Sequence, residues 1–221
     1  MPTSTVEDYL KRILLEQERH GGGERVPTGQ IATALAVTPG TVTSMLKALA
    51  ESGLVDYEAY AGAGLTKAGR QLALHVLRRH RLLELFLVEV VGLDWSEVHA
   101  EAERLEHAVS DRVVERIDEL LGHPEVDPHG DPIPSAKGVV ERAELVALDR
   151  LEVGRRARIG RIADQDADFL RLLERAGLRP GTRVRVAARE ELADSLELDL
   201  GRGRRTVLGL RAAGKIFVEP A

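Results

Sequence analysis

Four side chains within nine residues, His99, Glu103, Glu106 and His107, have the types and spacing to hold a metal ion. On a helix, positions i, i+4, i+7 and i+8 fall along one side, so two imidazoles and two carboxylates meet within about one and a half turns. Neutral imidazole nitrogen and carboxylate oxygen together suit a divalent transition metal. Upstream, His80 and Glu84 form a second pair at i, i+4. Either cluster alone reads more readily as a solvated helix face than as a metal site. Two of them on consecutive helices are harder to assign to solvation.

The elements before these helices predict what the metal would act on. Ser4-Thr-Val-Glu7 has capping-box spacing and opens a helix to about Arg19, with Val6, Leu10, Ile13 and Leu14 on its apolar side and Gly21-Gly-Gly closing it. Asp8 and Lys11 sit one turn apart on this helix. A short helix follows Thr28, over about Gly29–Ala36, and a tight turn leads to a third with Thr38 as N-cap and Pro39 at N1, ending at Gly53. Two short helices, a tight turn and a longer third helix form a helix-turn-helix, whose later helix enters the major groove. Ile31, Leu35, Val42, Leu46 and Leu49 are spaced to pack inward, leaving Thr41, Thr43, Ser44 and Lys47 outside. With Thr28, Thr38 and Pro39 at the helix starts, these make the candidate DNA-contact set, because short hydroxyls and an amine reach base edges and phosphates. A strand at Leu54–Tyr60, a Gly-rich turn at Ala61–Gly64 and a return strand at Leu65 add a wing.

Thr66 caps a long helix over about Lys67–Val91, and Asp94 opens a helical stretch from Ser96 to Leu121, broken near Ser110. A small winged domain cannot cover two long amphipathic helices, so they predict a homodimer interface, which readers of palindromic sites require. The loop from Gly122 to Gly138 carries Pro124, Pro128, Pro132 and Pro134; its His123, Asp127, His129 and Asp131 read as residues of a stiffened surface loop and not as a metal site. After a linker at 136–147, short strands at Arg156–Ala163, Thr182–Ala188, Ser195–Leu200, Thr206–Leu210 and Lys215–Val218, with one helix at Asp166–Ala176, predict a small SH3-like β-barrel. The expected fold is mainly α: a winged helix-turn-helix domain (1–66), a helical metal-binding and dimerisation domain (67–138), and a linker with an SH3-like domain (139–221).

Composition narrows the function classes. At 43% apolar the chain is globular, and at 3% aromatic its cores must be aliphatic. With no cysteine there is no disulfide, thiolate zinc site or thiol catalysis. No secretory leader is read at the N-terminus, and Leu82–Leu93 is too short and too charged to span a bilayer, so a soluble, cytoplasmic protein is expected. The net charge is −5, but residues 155–221 hold fifteen Lys/Arg against ten Asp/Glu, leaving residues 1–154 at −10. So acidic a body in a DNA binder hints at cations that neutralise part of it. An enzyme is not expected: there is no paired Glu-x-x-His, His-Glu-x-x-His, Gly-x-Ser-x-Gly or phosphate-binding Gly loop.

These stretches together resemble the diphtheria toxin repressor family of metal-dependent transcription regulators, and most closely its manganese transport regulator branch. The resemblance is carried by Glu7-Asp-Tyr-Leu10, Ala34-Leu-Ala-Val-Thr-Pro39, Val42-Thr-Ser-Met45, Arg79-His-Arg-Leu-Leu-Glu84, Val98-His99, Glu106-His107 and Asp127-Pro-His-Gly-Asp-Pro-Ile-Pro134. It implies two metal positions per subunit: one from Asp8, Glu103, Glu106 and His107 with His80, and one from His80, Glu84 and His99 with help from the barrel through Gln165 and Asp168. It also implies a homodimer on a palindromic operator in double-stranded DNA, repressing metal uptake genes. In iron-type members a Met and a Cys stand where this chain has Asp8 and Glu103; two carboxylates favour Mn(II) over Fe(II). Lys11, where the manganese branch has a Glu, and the presence of a barrel depart from that branch. The alternatives weighed are an Fe(II)-responsive regulator of the same family, a winged-helix regulator sensing an organic ligand, and a protein that sequesters metal.

Overall fold

A computed structural model of the chain describes residues 3–19, 22 and 24–220, in two compact units: residues 1–79 with 134–139, and residues 80–133 with 140–221. The glycines expected to close the first helix, Gly21 and Gly23, lie outside the described residues.

The first unit begins with α1 (Ser4–Arg19), α2 (Thr28–Ala34) and α3 (Pro39–Glu51). Tyr9, Leu10, Ile13 and Leu14 of α1, Ile31 of α2 and Val42, Leu46 and Leu49 of α3 are buried, the 3.6-residue stripes read in the sequence. The Thr38 hydroxyl accepts from Thr41 N at 3.2 Å, satisfying one otherwise orphaned donor of α3, a cap worth about 1 kcal/mol. The antiparallel pair β1 (Val55–Glu58) and β2 (Gly62–Leu65) is the wing, in register Val55↔Leu65 to Glu58↔Gly62. It needs a glycine at its turn: at φ +103°, a Cβ on Gly62 would stand 2.2 Å from Val26 O. Arg25 ties the wing down, donating to Asp56 at 2.8 Å and pairing with Glu58. The first part of α4 (Lys67–Phe86) completes this unit, burying Ala73, Val76 and Leu77, with Arg78 donating to Pro134 O.

The second unit takes up α4 at His80. The helix ends in a π-helical turn, Leu87–Val91, closed by Gly92 at φ +81°. The expected stretch from Ser96 to Leu121 divides into α5 (Val98–Leu105) and α6 (Asp111–Leu120), with Ser110 in the break. Leu82, Leu83, Leu85, Val98, Ala102, Val114 and Ile117 form the aliphatic core between these helices. Residues 146–220 form one antiparallel six-stranded sheet in the order β3-β8-β4-β5-β6-β7: β3 (Val146–Ala147), β4 (Arg156–Ile162), β5 (Arg183–Glu190), β6 (Ser195–Asp199), β7 (Arg205–Gly209) and β8 (Ile216–Pro220). Helix α7 (Ala167–Ala176), capped by Asp166 and closed by Gly177, joins β4 to β5, and a single turn, α8 (Leu210–Ala213), precedes β8. Trp95, ahead of α5, is buried in the core of this sheet domain. "Mainly α" therefore describes the first two thirds only. The last third is a β domain, because its apolar residues alternate, as Val184/Val186 and Leu196/Leu198 do, and pack inward at period two. Strand β3 and α8 were not read from the sequence; both are too short to show a period.

Candidate metal centre

Helix spacing alone places the first group of ligands. His80 and Glu84 lie one turn apart on α4, and His99 and Glu103 one turn apart on α5. Packing of Leu82, Leu83, Val98 and Ala102 between the helices turns both pairs toward each other. His80 Nε2 lies 3.1 Å from His99 Nδ1, and Glu84 Oε1 is 3.0 Å from each of these nitrogens. An ion bound about 2.1 Å from each of three ligands at right angles separates them by about 3 Å, the spacing of this triangle. Glu103 Oε1 stands 3.7 Å from His99 Nε2 and 3.9 Å from His80 Nδ1. Glu106, fully buried, accepts from His80 Nδ1 at 2.6 Å. Glu106 stands where a carboxylate behind a metal-ligating imidazole would hold the Nδ1 proton and turn the Nε2 lone pair to an ion. His107, in the turn after α5, has Nε2 3.3 Å from Glu106 Oε1.

A second group shares Glu84. Asp127 and His129, in the loop after α6, are buried beside it, with ligand atoms of all three within 4.8 Å of one another. The backbone explains how the loop holds them. Asp127 Oδ1 accepts from the amides of His129 and Asp131, His129 Nε2 bonds Trp95 O at 2.9 Å, and Ile162 N donates to His129 O. Gly130, at φ +86°, lets the loop lie against β4, where a Cβ would meet Gly160 O at 2.0 Å. Three atoms are left over: Glu84 Oε2, Asp127 Oδ2 and His129 Nδ1 are buried with no hydrogen-bond partner. Leaving such an atom without a hydrogen bond costs about 1–3 kcal/mol, and Arg81 meets Asp127 Oδ2 only as an ion pair at 3.8 Å. Two carboxylate oxygens and an imidazole nitrogen, orphaned together, fit a divalent cation. In the sequence Asp127 and His129 read as residues of a stiffened surface loop; the fold buries them beside Glu84. Their only signal was the Asp-x-His pattern, since the contact with Glu84 is made by the fold.

The electrostatics of the shared group are opposed. Burial pushes the Glu84 carboxyl up, but the charge and hydrogen bond of His80, with His99 and His129 adding to them, hold it well below the usual carboxylate range. Burial pushes Asp127 well above its ordinary value, reinforced by Glu84 and Asp131 and only partly offset by Arg81. Two of the remaining candidates pair locally. Gln165 donates to Asp131, and Asp168, its side chain 90% exposed, pairs with Arg171. Asp8 is half-buried on α1 of the first unit, and Lys11, one turn on, is buried.

The DNA-contact candidates lie at the start and along the outside of α3. Thr38, Pro39, Thr41, Ser44 and Lys47 are exposed, and Thr28 and Thr43 are half-buried. Thr43 and Ser44 donate to the carbonyls of Pro39 and Gly40, and the Thr38 and Thr41 hydroxyls lie 2.9 Å apart. These rotamers leave the hydroxyl lone pairs free to accept from DNA base amines.

Three family models match the chain: an iron-dependent repressor N-terminal DNA-binding domain over residues 1–63, an iron-dependent repressor metal-binding and dimerisation domain over 66–135, and a FeoA domain over 146–220. An iron-dependent repressor from Mycobacterium bovis is 36% identical over 82% of this chain and 83% of its own length. A diphtheria toxin repressor from Corynebacterium efficiens is 33% identical over 82% of each chain. Among solved structures, a manganese-dependent transcriptional repressor in complex with manganese superimposes with a TM-score of 0.87 at 43% identity, covering 98% of this chain and all of that one. The ScaR protein with bound zinc does so with a TM-score of 0.76 at 33% identity, over 99% of each.

Proposed function

We propose that this chain, which belongs to the iron-dependent repressor family that includes the diphtheria toxin repressor, is its Mn(II)-responsive form. The protein is a metal-dependent, DNA-binding transcriptional repressor, not an enzyme, and acts as a homodimer on double-stranded DNA. Among the described residues no helix is long and apolar enough to cross a membrane. The reading divides the chain into a DNA-binding segment (1–66), a metal-binding and dimerisation segment (67–138) and a linker with the β domain (139–221).

The observation that carries the proposal is the convergence of His80, Glu84, His99, Glu103 and Glu106 behind a helix-turn-helix. In this reading Glu103, Glu106 and His107, with His80, hold one ion, and Asp8 is the ligand that the DNA-binding segment contributes. Glu84 serves both positions: with His99 it closes the helical group around His80, and with Asp127 and His129 it makes a second position; Gln165 and Asp168, directed to Asp131 and Arg171, are left out of it. A bound ion supplies the positive charge that lets these carboxylates share a site. The residues themselves do the selecting. Every donor is oxygen or imidazole nitrogen, a set that suits Mn(II) and gives softer ions no thiolate or thioether. Occupancy then favours the DNA-competent state, in which α3 presents Thr41, Ser44 and Lys47 to the major groove of a palindromic operator. Metal uptake genes are the expected targets, since a metal-loaded repressor closes a loop only on supply of that metal.

The test is a gel-shift titration with Mn(II), Fe(II) or chelator, beside the Glu103→Ala variant. The proposal expects tight binding with Mn(II), weaker binding with Fe(II), none with chelator, and a loss of about a hundredfold or more in the variant. Undiminished binding in chelator would contradict it.

A further inference from the structure

We propose that the outer face of strands β4 and β5 in the C-terminal domain is a second DNA surface, which grips the phosphate backbone flanking the operator. The register makes the case. Ala157 and Val184 oppose each other and are both buried, so their neighbours in sequence point away from the core. Those neighbours are all arginine. Arg156 stands opposite Arg185, and Arg158 opposite Arg183, a two-by-two block of guanidinium groups on one face of the sheet.

Directly opposed like charges are destabilising. Acidic neighbours relieve half of the block: Arg185 pairs with Asp199 and Arg158 with Glu219, both at 2.7 Å. Arg156 and Arg183, on the diagonal, are exposed and have no acidic partner among the described residues. The turn continuing from Asp199 adds Arg202 and Arg204, both exposed. Such a cluster persists most easily where an external polyanion completes it.

DNA fits better than an acidic protein on two grounds. Planar guanidinium forks match phosphate oxygens in geometry as well as charge. In addition, residues 1–154 carry a charge of −10, so a repressor that must approach DNA gains from placing its positive charge on one outward face.

The inference rests on the DNA-binding reading above, and one experiment separates the two. Binding of the full-length, Mn(II)-loaded protein is measured by fluorescence anisotropy against salt, on a duplex cut to the core operator and on one extended by a helical turn or more on each side. The wild type should show a steeper salt dependence on the extended duplex. Arg156→Gln with Arg183→Gln should lower that slope by about 2–4, at about 0.9 per phosphate contact over two subunits. The core duplex should bind the variant as it binds the wild type, and Arg156→Lys with Arg183→Lys should keep most of the slope. Relief of like-charge contacts means that the glutamine variant should melt no lower than the wild type. Equal wild-type slopes on the two duplexes, or an unchanged slope in the glutamine variant, would overturn the inference and leave an acidic protein as the partner of this face. Absence of metal-dependent binding to the core duplex would instead overturn the DNA-binding reading itself.

Discussion

The two ligand groups that share Glu84 were assembled in different ways. The group on α4 and α5 is a product of helix periodicity: His80 with Glu84 and His99 with Glu103 are each four residues apart, and the packing of two helices brings the pairs within 3.1 Å. The other group is made by a loop. Asp127 and His129 reach Glu84 across more than forty residues because Gly130 lies against β4 and His129 is held by Trp95 and Ile162. In the first group each ring nitrogen faces a carboxylate oxygen, at 2.6 to 3.7 Å. The second leaves three buried atoms with no hydrogen-bond partner. The helical group thus has its geometry without an ion, whereas the loop group has an unmet demand for one.

The largest effect should follow from removing what the two share. Glu84→Ala is expected to lose metal at both groups and to weaken metal-dependent operator binding by more than about a hundredfold. Elemental analysis and gel shift together check this, and full metal content in the variant would break the link between the groups. Next, His99→Ala and His129→Ala should each weaken one binding phase in calorimetry by roughly 10–100-fold and spare the other. Loss of both phases in either variant would mean one site, not two.

The two carboxylates also predict opposite pH behaviour in the metal-free protein. Glu84 is depressed on folding, so its stabilisation is present above the ordinary glutamate range and fades as pH falls toward its folded value. Asp127 is raised, so the folded state binds the extra proton, and stability falls as pH climbs from the ordinary aspartate range through the raised value. Urea denaturation between about pH 4 and 8 should show a decline toward higher pH that Asp127→Asn removes. Metal binding at the loop group should correspondingly release a proton. The smallest effect is spectroscopic. Trp95, the single tryptophan, stacks on His129 with ring centroids 5.7 Å apart, so its emission should respond to metal in wild type and His99→Ala but not in His129→Ala.

What could be read from the sequence follows the same division. The i, i+4 pairs, the Thr38 cap, the wing glycines and the inward stripes of α1 and α3 are local and were legible. So were most of the strands, whose Val184/Val186 and Leu196/Leu198 alternation is periodic. The buried Asp127 and His129 were not, because prolines on either side and two acids nearby mark a surface loop, and only the tertiary contact with Glu84 overrides that. Gln165 and Asp168 rest on the resemblance alone, and both have local partners: Gln165 donates to Asp131, and Asp168 accepts from Arg171.

Anomalous diffraction from crystals grown with Mn(II) tests the central claim most directly. The account predicts manganese beside His80, Glu103 and Glu106, and a second ion within about 2–2.5 Å of Glu84 Oε2, Asp127 Oδ2 or His129 Nδ1. No anomalous peak at either group, with those side chains turned to solvent, would contradict it.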